Sequence, residues 1–308
     1  MAEGTVYIRT QAPGLLARVL QAGMPLLGMK GRIGRIVRTG KGRKIAARLS
    51  ARLKRLCTVT VQQHAGRKVW TLVPKEGATQ KTILYLHGGA YVANLLSFHW
   101  DLVAELVART GATVVVPDYP LAPDADCPAV YDFLEALYAD VQAAHPTKEL
   151  VLMGDSAGGG LALGLAQQLR AGGGQQPEHI ILLCPWLDVA MDHADLPALD
   201  ALDPMLDIQG LIQAGRAYAG LLPTNDPRVS PIHGDLQGLA PIAVFTATRD
   251  MLLVDARRLK ERLEQIGTGF HYYEYPGLFH VWMAVTQLPE AQEALDQVAA
   301  LVGRVAQR

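Results

Sequence analysis

Gly154-Asp155-Ser156-Ala157-Gly158 sets a serine among small residues, directly after the apolar run Leu150–Met153 and before an Ala- and Leu-rich segment that begins at Ala157. A strand turning sharply into a helix lifts such a hydroxyl above the sheet, and only small neighbours permit the close approach. The hydroxyl is a poor nucleophile until a base removes its proton, and the base needs a carboxylate to fix its tautomer. Of the nine histidines, His280 closes the turn Tyr275-Pro276-Gly277-Leu278-Phe279-His280, just past the last predicted strand. That places it in a loop at the carboxyl edge of the sheet, beside the serine. His64, His99, His145, His179, His193, His233 and His271 fall in strands, helix ends or an insertion. For the carboxylate, Asp250 follows the predicted strand Ile242–Thr246, again at a strand's carboxyl end. Asp255 is the runner-up; it belongs in the following helix, where it would support the loop or face solvent. Serine, acid and histidine in this set would transfer an acyl group through an acyl-enzyme.

Acyl transfer also needs donors for the oxyanion formed on attack. His87-Gly88-Gly89-Ala90-Tyr91 follows the third predicted strand, and its glycines are expected to leave the N–H groups of Gly88 and Gly89 free for the substrate. The N–H of Ala157 would complete the hole. His87 is expected to brace this loop by hydrogen bonds. Tyr91, Trp186, Phe279 and Val281 flank these loops and are candidate pocket walls, with ordinary core packing as the alternative.

The elements that must hold these residues alternate between short apolar strands and amphipathic helices. Eight strands are predicted: Thr58–Val61, Val69–Val73, Thr82–Leu86, Thr113–Val116, Leu150–Met153, Ile180–Leu183, Ile242–Thr246 and Phe270–Tyr275. Helices are predicted at Trp100–Arg109, Ala129–Ala144, Ala157–Ala171, Val254–Ile266 and Glu290–Val305. This order implies an α/β fold with a mostly parallel sheet covered on both faces. Residues 56–308 read as the catalytic domain. The span of about 187–239 breaks the alternation and reads as a cap insertion, with a helix at Ile208–Ala219 capped by Asp207. Residues 1–55 read as helical segments forming a cap or arm, including Ile45–Leu56.

Half of the residues are hydrophobic and 19% are charged, which excludes a disordered chain. Cys57, Cys127 and Cys184 are too scattered for a disulfide framework or a zinc site, so no metal is expected. The formal net charge is zero, yet no acidic residue lies between Glu3 and Glu76, while Lys30, Arg32, Arg35, Arg38, Lys41, Arg43, Lys44, Arg48, Arg52, Lys54 and Arg55 crowd one stretch. Such an arm either pairs with acids on the rest of the protein or makes a weak contact with an anionic membrane surface. No nucleic-acid partner is expected. The early apolar stretch Ala12–Met29 is interrupted by Arg18 and several Gly and Pro residues, and a cytoplasmic location is expected.

From about Thr82 onward the chain resembles the hormone-sensitive-lipase-like esterases of the α/β-hydrolase fold. The resemblance is carried, in order, by His87-Gly88-Gly89, Pro117-Asp118-Tyr119 with Leu121-Ala122-Pro123, Gly154-Asp155-Ser156-Ala157-Gly158-Gly159, Pro185-Trp186-Leu187-Asp188, Asp226-Pro227 with Ser230-Pro231, and Tyr275-Pro276-Gly277 with His280. There are three departures: Met251 where the family usually has proline after the acid, Pro120 in place of an arginine, and HGGAY instead of HGGG or HGGGF. The resemblance implies a carboxylesterase for short- to medium-chain acyl esters, with an N-terminal cap over the pockets, no cofactor, and a homodimer in many members. Amidase or lactonase activity with the same triad is one alternative. A non-catalytic ligand-binding protein on a hydrolase scaffold is another, and the presence of His280 argues against it.

Overall fold

A computed structural model describes residues 4–40, 45–144 and 149–303. Lys41, Arg43 and Lys44 of the basic stretch, His145, and the predicted end of the last helix at Val305 lie outside them. The arm begins with a strand, β1 (Thr5–Ile8), followed by helices α1 (Leu15–Gly23), α2 (Arg32–Thr39) and α3 (Ala51–Leu56). Next come β2 (Cys57–His64), β3 (Arg67–Pro74), β4 (Thr82–Leu86), α4 (Ser97–Thr110), β5 (Thr113–Pro117), α5 (Cys127–Ala144), β6 (Leu150–Asp155), α6 (Ala157–Ala171) and β7 (His179–Leu183). The insertion carries α7 (Leu196–Leu202) and α8 (Ile208–Ala219), and the chain closes with β8 (Ile242–Arg249), α9 (Leu253–Ile266), β9 (Phe270–Phe279) and α10 (Pro289–Val302).

The sheet has nine strands rather than eight, in the order β1-β9-β8-β7-β6-β4-β5-β3-β2. The added strand is β1, in a region expected to be helical. Tyr7 accounts for its docking: Thr5–Ile8 runs parallel to His271–Glu274, and the Tyr7 hydroxyl donates to Glu293 at 2.5 Å. Only β2 and β3 at the far edge run antiparallel to their neighbours.

Period-2 alternation divides the sheet's side chains between two cores. On one face Leu84, Leu86, Leu152, Leu182 and Val244 pack against α5, α6 and α9, through residues such as Leu134, Leu161 and Leu259. On the other, Ile83, Tyr85, Val151, Met153, Ile181 and Phe245 pack against α4 and α10, through Leu102, Leu106, Leu295 and Val298. Burial on both faces is why the central strands are continuous apolar runs.

The arm and the insertion meet above the carboxyl edge. Helix α2 crosses α8 where glycines face each other: a Cβ on Gly210 would lie 3.0 Å from the Gly34 nitrogen. The Asp207 side chain caps α8 by accepting from the Gly210 N–H at 2.6 Å, as predicted, and also accepts from the Gly31 N–H at 3.0 Å. One carboxylate therefore starts the insertion's helix and ties the arm to it.

Candidate active site

Ser156 sits between β6 and α6 with φ 52° and ψ −122°, a conformation that L-residues rarely adopt. Two glycines make this turn possible. A Cβ on Gly154 would come within 2.2 Å of the Gly158 oxygen, and one on Gly158 within 2.0 Å of the Leu86 oxygen. The turn is held from below by the Ser156 N–H, which donates to Leu183 on β7 at 2.9 Å.

His280 follows β9, and its Nδ1 lies 2.8 Å from Asp250 Oδ2. Both side chains are buried, Asp250 completely. The Asp250 Oδ1 accepts from the Leu252 N–H at 2.9 Å, so the carboxylate is oriented from both sides. Burial alone would depress the basicity of His280, but the charge and hydrogen bond of Asp250 outweigh it and hold the pKa above the ordinary imidazole value. Ser156 and His280 line the same cavity. Among the described residues no hydrogen bond joins them, as is common before substrate binds.

Asp255 is also buried, but it accepts the N–H groups of Leu187 at 2.9 Å and Asp188 at 3.0 Å, and so braces the loop after β7. Desolvation pushes its pKa up to about 7. It makes no contact with His280, which leaves Asp250 as the histidine's partner.

The oxyanion loop differs from expectation in one place. The Gly88 N–H is not free; it donates to Asp155 Oδ1 at 2.9 Å, because the loop turns inward over the elbow. The N–H groups of Gly89 and Ala90 have no acceptor among the described residues, and both residues line the cavity. Gly89 has φ 123° and Ala90 φ 53°, backbone conformations that glycine adopts freely and alanine rarely. Ala157 is the first residue of α6.

Asp155 is the residue whose role the sequence conceals. Its carboxylate accepts from Tyr85 at 2.5 Å as well as from Gly88, and lies 3.5 Å from His99 Nε2. Burial favours its neutral form, but His99, Tyr85 and Gly88 together keep its pKa below the usual value. It joins elbow, oxyanion loop and α4 through one buried charge. Nothing in the local pattern marks Tyr85 or His99 as its partners, since they come from distant segments. His87 braces the loop as expected: Nδ1 is 2.7 Å from the Gly88 oxygen, the ring stacks on Tyr119 at 4.3 Å, and burial lowers its pKa to about 3.

Of the candidate pocket walls, Phe279 and Val281 line the cavity. Tyr91 and Trp186 do not; they stack on each other at 5.2 Å, and Tyr91 stacks on Tyr218 at 3.8 Å, as core packing. The cavity measures about 200 Å³ and is otherwise walled by the arm, with Met24, Ile33 and Ile36, and by the insertion, with Met205, Leu206 and Leu211. Cys184, Asp250 and His280 have ligand atoms within 4.8 Å of one another, the geometry of a possible cation site. They suit an ion poorly, since burial keeps the Cys184 thiol protonated and His280 is already engaged by Asp250.

A family profile described as the alpha/beta hydrolase fold matches residues 83–284. LipR of Mycobacterium tuberculosis, named as an acetyl-hydrolase, is 37% identical over 239 residues, covering 77% of each chain. An esterase of Acinetobacter venetianus is 34% identical over 234 residues, covering 74% of this chain and 76% of that one. Among solved structures, an esterase of the bacterial hormone-sensitive lipase family superposes with a TM-score of 0.76 at 26% identity, covering 88% of this chain and 95% of that one. An esterase/lipase from an uncultured bacterium gives a TM-score of 0.76 at 26% identity over 95% of this chain and 91% of that one. With two thirds of its length matched by the profile and its elbow, acid and histidine in the expected order, this chain belongs to the α/β-hydrolase fold family, in the company of the bacterial hormone-sensitive-lipase-like esterases.

Proposed function

We propose that this protein is a serine carboxylesterase acting on small-molecule esters of short to medium acyl chains. The observation that carries the reading is His280, bonded to the buried Asp250 at 2.8 Å, in the wall of the cavity that also holds Ser156. With Nδ1 committed to Asp250, Nε2 is the ring nitrogen available to take the Ser156 proton. Ser156 attacks the ester carbonyl, and the N–H groups of Gly89, Ala90 and Ala157 receive the developing oxyanion. His280 returns the proton to the leaving alcohol, and water, activated by the same histidine, releases the acid. The Asp250 carboxylate orients the ring and counters the charge of the imidazolium formed during attack.

A cavity of about 200 Å³ lined mostly by apolar side chains suits a short to medium acyl chain. The test is the initial rate on p-nitrophenyl esters from acetate to palmitate. kcat/KM should rise with chain length only up to about six carbons, since each buried methylene adds ~0.8 kcal/mol and each one left in water adds nothing. A maximum at long chains would overturn the size argument.

The pH profile has a defined sign. Protonated His280 cannot accept the serine proton, so kcat/KM should rise with pH along a single limb. Because Asp250 raises the His280 pKa, the midpoint should lie above the ordinary imidazole value of about 6.5. A midpoint below it would contradict the buried ion pair.

The basic arm supports a second feature. Arg9, Lys30 and Arg52 pair with Glu293, Asp200 and Glu105 on the body. Arg18, Arg35 and Arg38 are exposed on the same arm as Leu15, Leu26 and Leu27, which are 70%, 89% and 79% exposed. Exposed apolar side chains and cations on one arm fit the headgroup region of an anionic bilayer, and bringing two copies together through this arm would oppose like charges. Among the described residues no helix is long and apolar enough to cross a membrane. The protein should float with vesicles containing phosphatidylglycerol at low salt and not with phosphatidylcholine alone. Leu26→Ser/Leu27→Ser should abolish the flotation; binding that ignores salt and lipid charge would refute this contact.

A further inference from the structure

Asp203, at the carboxyl end of α7 in the insertion, is buried, and it touches the turn after Asp250, which lies far along the chain. Its Oδ1 accepts from the Met205 N–H at 2.8 Å and the Leu206 N–H at 2.9 Å, which shapes the cap segment that lines the acyl cavity. Its Oδ2 accepts from the Met251 N–H at 2.9 Å, the peptide directly after Asp250. Proline at 251 would have no such N–H, so methionine there is what permits the bond. On the other side, the Lys30 ammonium of the arm donates to the main-chain oxygens of Asp200 and Asp203. Arm, insertion and acid turn are therefore joined in sequence through one short segment.

We propose that Asp203 is a positioning residue of the esterase site: carried by the cap, its carboxylate fixes the turn that presents Asp250 and adds a second negative charge near His280. The inference rests on reading Ser156, His280 and Asp250 as a triad. The charged groups around Asp203 are Asp250 on the acid turn, His280 after β9, Lys30 on the arm and Asp200 on its own helix. Asp250 resists a second carboxylate nearby, whereas a protonated His280 is stabilised by both. Consistently, burial and Asp250 push the Asp203 pKa up to about 6, and Asp203, after Asp250 and together with Asp155 of the elbow, contributes to the raised pKa of His280. Seating of the cap thus fixes both the orientation of the acid and the basicity of the histidine.

The test compares pH profiles of kcat and kcat/KM for the intact protein, Asp203→Asn and Met251→Pro, with Asp250→Asn alongside. Asp203→Asn removes the charge, so the acid limb should move to lower pH by about half a unit while kcat falls by about tenfold. Met251→Pro keeps the carboxylate and removes only the turn's hydrogen bond; kcat should fall a few-fold with the limb and KM unchanged. A residue that merely supported the fold would not move the limb, so an unmoved limb in folded Asp203→Asn overturns the electrostatic part. If Asp203→Asn does not fold, Met251→Pro alone decides the positioning role, and wild-type kcat in that variant overturns it. Full activity in Asp250→Asn would instead remove the triad reading underneath.

Discussion

Replacing Ser156 with alanine is expected to lower kcat on p-nitrophenyl butyrate by a factor of about 10⁴–10⁶ while leaving the protein folded. The two halves of that expectation have separate origins. The chemical loss is that of the atom that forms the acyl-enzyme, and removing a triad's nucleophile alone costs about as much as removing the whole triad. What survives is substrate binding and the proposed oxyanion donors of Gly89, Ala90 and Ala157, which do not depend on the serine side chain. The fold survives because the elbow is set by contacts other than the hydroxyl. Gly154 and Gly158 permit the crossing of β6, α6 and the Leu86 backbone, and the Ser156 N–H holds the turn to Leu183. Alanine has the same Cβ as serine and meets the same positive φ at no greater cost. The measurement is the steady-state rate beside a thermal melt. Turnover within tenfold of the intact protein would dismiss Ser156 as nucleophile, whereas a collapsed melt would show that the hydroxyl has a structural role absent from its contacts.

Residues that act through local pattern were legible before the structure. Ser156 stands in a motif whose strand and helix are contiguous with it, and the apolar run before it and the alanines and leucines after it are short-range signals. His280 and Asp250 are each read from their place at a strand end, and the sheet's parallel order brings those ends to one edge. The readings that needed correction depend on contacts between distant segments. Tyr91 and Trp186 border the catalytic loops in sequence, but whether a ring faces the cavity or the core depends on the position of Tyr218 in the insertion. The Gly88 N–H is taken by Asp155, 67 residues away, and no spacing rule relates the two. Strand β1 lacks neighbours in sequence; it forms because β9 offers an edge and Glu293 receives the Tyr7 hydroxyl. Four residues are too few to stand out against the helical segments that follow.

Asp250→Asn and Asp255→Asn should part in kind, and the contrast decides which carboxylate belongs to the reaction. In Asp250→Asn the acceptor facing His280 Nδ1 becomes an amide that serves either tautomer, so Nε2 is no longer reliably the basic nitrogen, and the imidazolium formed during attack loses its counter-charge. A fall in kcat of about 10⁴ is expected, as for removal of the buried acid's charge in a serine protease triad. The site should also lose its raised acid limb, because Asp250 is what offsets the burial of His280. Asp255→Asn touches neither effect. That carboxylate accepts the Leu187 and Asp188 N–H groups, and with its pKa near 7 it is already part-protonated at neutral pH, so an amide oxygen can take over much of its role. The expected change is a stability loss of about 1–3 kcal/mol with kcat within tenfold of the intact protein. A large kcat loss in Asp255→Asn together with an active Asp250→Asn would reverse the assignment. It would also require the His280 loop to rearrange by several ångströms on substrate binding, since the bond now present at 2.8 Å would have to break and another form across the loop after β7.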